Sequence, residues 1–297
     1  MFVIVMAIFV VYGAFFILFE DYDRRVLAPL ADQWDWHLLW FSLVVVAVLA
    51  FVLHRYSRRM DERISKEQAE QQNRMRRELT QNIAHELKTP VASILGYMET
   101  LIDNPDIEPD TRTQFLERSH SQARRLTALL QDISTLNRMD YAPDLLERET
   151  VDLSRLVADI ASETSLSFVN RNMVFLNNLP DGICVVGNRS LLYSIFRNLT
   201  DNAICYAGDG THITITAEAT PTHWRFRFSD NGVGIAARHL PRLFERFYRI
   251  DTGRSRSMGG TGLGLAIVKN AVIFHGGTIT AHSVEGKGLQ IEFTLSR

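Results

Sequence analysis

The feature that most constrains the fold of this chain is a long stretch almost free of helix-breaking residues. Between Ser57 and Ile102 the first glycine is Gly96, and Pro90 is the only proline. Apolar residues recur there at spacings of three and four, with one gap of seven, which predicts an amphipathic helix. They are Met75, Leu79, Ile83, Leu87, Ile94, Met98 and Leu101. After two proline-containing breaks, a second amphipathic stripe comprises Phe115, Ala123, Leu126, Leu130, Ile133 and Leu136.

These two helices predict a helical hairpin over residues 75–142. Such a hairpin leaves part of each apolar stripe uncovered, and pairing with a second copy in a four-helix bundle covers it. The sequence therefore predicts a homodimer, with this hairpin as its dimerisation domain. The net charge of −2 lacks the basic surplus of nucleic-acid-binding proteins, so no nucleic-acid partner is expected.

The first 53 residues are mostly apolar and predict two transmembrane helices. One charge-free run covers residues 1–19 and another covers about 37–53, each close to the length of a helix that crosses a bilayer. The loop between them, residues 20–37, is acidic, whereas the juxtamembrane signalling helix at residues 54–74 is rich in arginine. This asymmetry predicts a multi-pass inner-membrane protein whose C-terminal domains are cytoplasmic. A cleaved signal peptide is the alternative for the first run, but it lacks a basic N-terminal region.

A short motif within the first hairpin helix contains a candidate nucleophile. His85 lies two residues from both Ile83 and Leu87, so it falls off the apolar stripe and is expected to face solvent. A neutral imidazole, with an ordinary pKa of about 6.5, is a competent nucleophile. The adjacent Glu86 can accept the ring proton, and Thr89 lies one turn along the same face. The alternative is an ordinary surface histidine on a charged helix.

The C-terminal half, residues 150–297, alternates helix and strand patterns. The predicted helices span residues 153–168, 189–206 and 262–275, and the predicted strands span residues 173–177, 184–186, 212–219, 224–229, 278–283 and 289–295. This order is typical of a layered α/β sandwich. The chain is therefore expected to be multi-domain, with the sandwich following the hairpin.

Two polar clusters in this half suit a nucleotide. Asn198 and Asn202 are four residues apart on one helix face, and their amide oxygens are hard, neutral ligands for magnesium that carries phosphates. Asp230 follows a predicted strand, where its carboxylate can accept a hydrogen bond from an amino group such as that of adenine. Gly232 and Gly234 allow the backbone to approach a ligand closely.

A glycine-rich loop leads into the next predicted helix, and its N–H groups with the helix N-terminus predict an anion site for phosphates. The site residues are Gly260, Thr261, Gly262, Leu263 and Gly264. Residues 235–258 are rich in arginine and predict a mobile lid over an anionic ligand. The candidate lid residues are Phe244, Arg246, Phe247 and Arg256, with the two phenylalanines docking the lid. A tight turn and a solvated surface loop are the respective alternatives.

Five ordered motifs resemble those of sensor histidine kinases of two-component systems. NIAHELKTP resembles the phospho-acceptor box, NLTDNAICY the asparagine box, DNGVG the first glycine box, FERFYR the phenylalanine box and GGTGLGLAIV the second glycine box. The chain resembles the orthodox membrane-bound members, which lack a receiver domain. The resemblance covers about 230 residues, and chance is a poor explanation for five motifs in order.

The resemblance implies that the sandwich binds ATP with magnesium and that His85 takes the γ-phosphoryl group. The group then passes to an aspartate of a separate response regulator. The implied roles are base for Glu86, magnesium ligation for Asn198 and Asn202, adenine recognition for Asp230, and shaping of the pocket and lid for Gly232, Gly234, Gly260, Gly262 and Gly264. Thr89 matches a position linked to dephosphorylation of the regulator, which implies a phosphatase activity as well.

One position departs from the family pattern. Many members carry lysine or arginine three residues after the second asparagine, where this chain has Cys205. A lid arginine such as Arg246 or Arg256 is expected to replace that phosphate contact. An alternative function is an ATP-binding sensor that works mainly as a phosphatase or scaffold.

Two further alternatives explain less of the sequence. An ATPase of the wider superfamily that includes heat-shock chaperones and mismatch-repair proteins leaves the HELKTP segment unexplained. A metal-responsive membrane protein is disfavoured because the nine histidines show no ligand spacing.

Overall fold

The computed structural model describes residues 31–250 and 260–297. The chain divides into two units, one ending at Arg76 and the other beginning at Arg77. The first predicted transmembrane run, residues 1–19, lies outside the described residues, as does most of the loop that follows it. The lid residue Arg256 also lies outside them.

The described part of the first unit belongs to one long helix, α1 (Ala31–Asp103). Most of the large apolar side chains at residues 43–53 are exposed; the exposed ones are Leu43, Val44, Val46, Val48, Phe51, Val52 and Leu53. Among the described residues, no helix carries a stretch long and apolar enough to cross a membrane. The span predicted at residues 37–53 is therefore not confirmed.

The second unit begins with the predicted helical hairpin. Helix α1 ends at Asp103, and α2 (Pro109–Tyr141) runs back from a turn that contains Pro105. Pro109 suits the first turn of α2 because its ring fixes φ and no intrahelical N–H is needed there. The rings of Tyr97 and Phe115 pack 5.4 Å apart near the turn. The hairpin is thus confirmed.

The C-terminal domain follows a short 3₁₀ helix at Pro143–Leu145. Its elements are β1 (Glu149–Asp152), α3 (Leu153–Asn170), β2 (Val174–Asn178), β3 (Cys184–Gly187), α4 (Arg189–Tyr206), β4 (His212–Ala219), β5 (His223–Asp230), a 3₁₀ helix (Ala237–Arg242), α5 (Gly264–Phe274), β6 (Ile279–Ser283) and β7 (Leu289–Ser296). Each predicted helix and strand is present, with ends within two residues of prediction. Strand β1 was not predicted, because it is four residues long and only Val151 in it is buried.

The domain is built on a five-stranded sheet in the order β2-β4-β5-β7-β6. Strands β2 and β4 are parallel and the other pairs are antiparallel. Alternate residues of β7 are buried, which shows that one face of the sheet meets the core. Phe196 of α4 packs on that face against Phe226 and Phe293, with ring centroids 5.6 and 5.8 Å away. The predicted α/β sandwich is thus confirmed.

Side-chain caps fix the start of two helices of this domain, α3 and α4. Asp152 accepts a hydrogen bond from the backbone N–H of Arg155 at the start of α3. Asn188 does the same for Leu191 at the start of α4, with a distance of 3.1 Å. The cap at Asn188 fixes the N-terminus of α4, the helix that carries Asn198 and Asn202.

Candidate active site

A cleft of about 350 Å³ opens in the C-terminal domain beside helix α4. Eight of the ten residues predicted to bind a nucleotide line it: Asn198, Asn202, Asp230, Gly234, Gly260, Thr261, Gly262 and Gly264. They come from α4, from the end of β5 and from the loop before α5. The fold therefore gathers residues up to 66 positions apart in sequence around one cavity.

Asp230 stands at the end of β5 in the wall of this cleft. Its Oδ1 accepts hydrogen bonds from the backbone N–H groups of Gly232 and Leu289, at 2.9 and 3.3 Å. Burial raises the pKa of this carboxyl, while the two N–H donors act to lower it. The two donors hold the carboxylate in one orientation, which suits recognition of an amino group on a ligand.

The glycines around Asp230 are required by close packing. A Cβ on Gly232 would lie 2.2 Å from the carbonyl oxygen of Ala207, at the end of α4. Gly234 has φ +67°, a conformation that favours glycine, and its Cβ would lie 2.2 Å from the carbonyl oxygen of Val284. Gly232 does not line the cleft and instead allows the turn after Asp230 to pack against α4.

The two asparagines lie on the cleft side of α4. The Nδ2 of Asn198 donates to the carbonyl oxygen of Ser194 at 2.8 Å, which fixes the side-chain amide. Its Oδ1 faces the start of α5, where a Cβ on Gly264 would lie 2.6 Å away. An oriented amide oxygen beside a second amide, that of Asn202, fits the oxygen ligands that magnesium prefers.

The glycine-rich loop, residues 260–264, is the predicted phosphate loop. It is joined to the core by Leu263, whose side chain is fully buried. The backbone N–H of Leu263 donates to the hydroxyl oxygen of Thr261 at 3.2 Å. Gly262 has φ +74°, and its carbonyl oxygen accepts from the N–H of Phe247 at 2.8 Å. The loop thus has its backbone in the cleft while Leu263, predicted as a binding residue, contributes a core side chain.

The described part of the predicted lid packs on the domain instead of standing free. Phe244 and Phe247 are half-buried against the hydrophobic core, as expected for side chains that dock this segment. Arg246 makes a two-pronged ion pair with Asp140 of α2, at 2.8 and 3.0 Å. In this structure Arg246 therefore contacts the hairpin and does not line the cleft.

The candidate nucleophile His85 is exposed on α1, as predicted, and its neighbour Glu86 is half-buried. Glu86 Oε2 is bound by two arginines, Arg125 of α2 at 3.3 Å and Arg249 at 3.4 Å. Arg249 also donates to the carbonyl oxygen of Gly260, in the cleft loop. The guanidinium of Arg249 thus connects Glu86, the residue after His85, with the predicted phosphate loop.

Two threonines make further polar contacts, one within α1 and one between the glycine-rich loop and α2. The hydroxyl of Thr89 donates to the backbone carbonyl oxygen of His85 at 3.2 Å. The hydroxyl of Thr261 donates to Asp132 of α2 at 2.8 Å. Burial raises the pKa of Asp132, and the hydrogen bond from Thr261 acts to lower it. The roles of Arg125, Asp132 and Asp140 had no signal in the sequence, because each partner is distant along the chain.

Comparison with known families locates two domains in the chain. Residues 75–142 match the family described as His Kinase A (phospho-acceptor) domain. Residues 187–297 match the family described as histidine kinase-, DNA gyrase B-, and HSP90-like ATPase. The sensor-like histidine kinase SenX3 of Mycolicibacterium smegmatis is 36% identical over 221 residues, and the sensor histidine kinase WalK of Bacillus subtilis is 33% identical over 229. This chain belongs to the sensor histidine kinases.

The similarity to these sensor histidine kinases covers most of this chain but only part of each relative. The alignment with SenX3 covers 74% of this chain and 57% of SenX3. The alignment with WalK covers 76% of this chain and 37% of WalK. Among solved structures, the Acinetobacter baumannii histidine kinase AdeS has a TM-score of 0.58, with 24% identity over 71% of this chain and 97% of AdeS. That likeness shows a shared fold.

This chain has a thiol, that of Cys205, where the resemblance implies a basic side chain. Cys205 lines the cleft together with Asp201, which is held by Arg197 at 2.9 Å. Burial and the Asp201 carboxylate raise the pKa of the Cys205 thiol, against an opposing effect of Arg171. The thiol is therefore protonated at neutral pH and supplies no positive charge to a phosphate.

Proposed function

We propose that this chain is an ATP-dependent protein-histidine kinase that phosphorylates itself on His85 and passes the phosphoryl group to an aspartate of a response regulator. The observation that carries the proposal is the contact of Arg249 with both Glu86 and the carbonyl oxygen of Gly260. Through this contact, the part of α1 that carries His85 lies next to the glycine-rich loop at the rim of the cleft. Membership of the sensor histidine kinases supports the same assignment.

In the proposed reaction, one ring nitrogen of His85 attacks the γ-phosphorus of ATP and forms a P–N bond. The bond from the γ-phosphorus to the β,γ-bridging oxygen breaks, and ADP leaves with its electron pair. Glu86 accepts the proton from the other ring nitrogen, which keeps the phosphorylated ring neutral. Most of the rate enhancement in such a transfer comes from positioning and charge stabilisation.

The proposed nucleotide site assigns adenine to Asp230 and the phosphates to the loop from Gly260 to Gly264. The glycine backbone and the N-terminus of α5 favour negative charge there. Asn198 and Asn202 would hold magnesium, which neutralises phosphate charge when it is bound. Arg249 would lie beside the phosphates and supply positive charge there, which the Cys205 thiol does not.

Three further assignments complete the proposal. The chain forms a homodimer through residues 75–142, because large apolar side chains remain exposed on the hairpin of the single chain; they are Val91, Leu95, Ile102, Leu116 and Leu130. Residues 150–297 form the ATP-binding domain. Residues 1–53 anchor the chain in the inner membrane with the kinase domains in the cytoplasm, which the apolar sequence and the exposed apolar side chains at 43–53 support.

Labelling with γ-labelled ATP and magnesium tests the kinase proposal on the full chain in detergent. Wild-type protein is expected to acquire an acid-labile, base-stable label, and His85→Gln is expected to acquire none. His120→Gln is the matched control, because His120 is an exposed histidine of the same hairpin. Equal labelling of wild type and His85→Gln would contradict the assignment of the acceptor.

Transfer and dephosphorylation are tested with the same labelled protein. Labelled kinase is expected to lose its label to one purified response regulator in a panel, and an aspartate substitution in that regulator should stop the transfer. A phosphatase activity that uses Thr89 predicts slower loss of label from the regulator with Thr89→Ala. Unchanged loss would remove Thr89 from that activity.

A further inference from the structure

The rim of the nucleotide cleft contacts the hairpin of its own chain. Arg249 binds Glu86 of α1, Thr261 binds Asp132 of α2, and the lid residue Arg246 binds Asp140 of α2. Thr261 belongs to the phosphate loop, and Arg249 is bonded to that loop through Gly260. The contacts therefore orient the part of the cleft that would hold the terminal phosphates, and not a remote surface of the domain.

The surface of the hairpin that contacts the cleft rim, called the seat, is apolar as well as polar. Helix α2 packs against α5, and the side chains of Leu129, Leu136 and Met139 are buried within the same core cluster as α5. The polar contacts border this apolar face on α2. Apolar burial supplies the attraction, and the two acidic side chains opposite a hydroxyl and a guanidinium fix the register.

The linker between the hairpin and the domain is short. Helix α2 ends at Tyr141 and β1 begins at Glu149, with the 3₁₀ helix Pro143–Leu145 in between. Seven residues span at most about 25 Å when fully extended, and the ordered turn shortens that reach. A cleft that served the histidine of a second copy would first have to leave its seat on its own α2.

From these contacts we infer that phosphoryl transfer takes place within one chain, so that each cleft phosphorylates the His85 of its own copy. This inference rests on the proposed kinase function and specifies which copy supplies the acceptor. Within one chain, the P–N bond forms at His85 and the bond from the γ-phosphorus to the bridging oxygen breaks in the cleft of the same copy. Glu86 of that copy takes the ring proton, and ADP leaves.

Mixed dimers of the full chain in detergent separate the two arrangements. Two affinity tags of different size isolate dimers that contain one copy of each kind. The first mixed dimer pairs wild type with a chain that carries both His85→Gln and Asp230→Asn. The second pairs a His85→Gln chain with an Asp230→Asn chain. Homodimers of Asp230→Asn must remain folded and must fail to bind ATP, and homodimers of His85→Gln must still bind it.

Transfer within one chain predicts opposite results for the two mixed dimers. The first retains one complete copy and is expected to acquire about half the label of the wild-type dimer, since a symmetric dimer has two equal sites. The second has no complete copy and is expected to acquire none. If the protein is monomeric in detergent and wild type still labels at a rate per chain that is independent of concentration, the transfer is also within one chain.

The reverse pattern would overturn the inference. Label on the Asp230→Asn chain of the second mixed dimer, with none on the first, would show that each cleft serves the other copy. Failure of the proposed kinase function gives a different result, because the wild-type homodimer would then remain unlabelled while it binds ATP.

Discussion

The nucleotide cleft and the junction between its loops and the hairpin are built in opposite ways. In and beside the cleft, backbone groups set the geometry: Asp230 is held by two N–H donors, and Gly232 and Gly234 leave no room for a side chain. At the junction, single side chains meet across 106 to 163 positions of sequence. Backbone geometry changes only with the fold, whereas side-chain ion pairs can be broken and remade without unfolding. The cleft is thus the fixed part of this chain and the junction is the adjustable part.

The largest expected effect comes from Asp230→Asn in the cleft. The amide keeps an oxygen that accepts from Gly232 and Leu289, but it loses the negative charge of the acceptor that we propose for adenine. We expect ATP to bind about 100-fold more weakly or worse, as measured by calorimetry. Asp159→Asn, an exposed carboxylate on α3, is the matched control and should bind normally.

The same substitution is expected to stabilise the protein without nucleotide. Burial raises the pKa of Asp230, so ionisation of this carboxyl lowers the free energy of unfolding as pH rises through its folded-state pKa. Urea unfolding at pH 7 should show Asp230→Asn to be more stable than wild type. The difference should disappear as pH falls to the ordinary range for aspartate, about 3.9. A less stable variant at pH 7 would mean that the carboxylate is a net structural contact.

A pair of glycine substitutions compares the cleft with the hairpin directly. Gly264→Ala places a Cβ 2.6 Å from Asn198 Oδ1, and we expect it to lower the free energy of unfolding by about 1–3 kcal/mol. Gly96→Ala on α1 meets no atom within 4 Å and should raise it by about 0.5–1 kcal/mol through helix propensity. Denaturant unfolding measures both. If both substitutions changed the free energy of unfolding by the same amount, the side chain of Asn198 would be able to move away from the new Cβ without cost.

A buried histidine, His275, makes the stability of the C-terminal domain depend on pH. His275 Nδ1 bonds the carbonyl oxygen of Ala271, and its Nε2 accepts from the N–H of Asn188 at the start of α4. Burial lowers the pKa of His275, so its contribution to stability is complete above the ordinary histidine pKa and is lost as pH falls through the folded-state value. Between pH 7.5 and 5.5 we expect a loss of about 1 kcal/mol, measured by thermal unfolding.

His120→Gln, which removes an exposed histidine, should leave that slope unchanged. His275→Gln should flatten it. If the slope of His275→Gln matched that of wild type, another group would account for the acid sensitivity.

The smallest expected effect lies at the junction, in the ion pair of Arg246 and Asp140. Both side chains are more than a quarter exposed, so the pair contributes at most about 1 kcal/mol. Arg246→Asp or Asp140→Arg alone should slow labelling of His85 by about fivefold, because the seat is lost. The two changes together in one chain should restore the rate. Failure of the double variant to recover would show that the ion pair does not position the cleft.

The sequence predicted the cleft better than the junction for a physical reason. Asn198, Asn202 and Asp230 stand in short motifs whose residue types follow from backbone approach and ligand chemistry, and the structure brings them to one cavity. Helices and strands follow from hydrophobic periodicity, which is also local. Strand β1 was not predicted because it has four residues with only one buried side chain, too few to show the alternation of apolar and polar residues that marks a strand.

The lid and the junction could not be predicted from spacing. Arg246 was expected near the phosphates, and the structure pairs it with Asp140 instead. Arg249 was one of several arginines in the segment, and nothing in the sequence distinguished it as the partner of Glu86. A solvated arginine and a docked arginine have the same sequence signature, because the partner is fixed only by the packing of α2 on the domain.

The contact of Arg249 with both Glu86 and Gly260 has a consequence for thermodynamic linkage. Helix α1 is continuous from Ala31 to Asp103 and passes through Glu86. If a bound nucleotide shifts the equilibrium between two arrangements of α1 through this contact, then a shift of α1 between them changes nucleotide affinity by the same factor. A stimulus that acts on α1 would therefore change the dissociation constant for ATP, and this change could be measured even in a variant without His85.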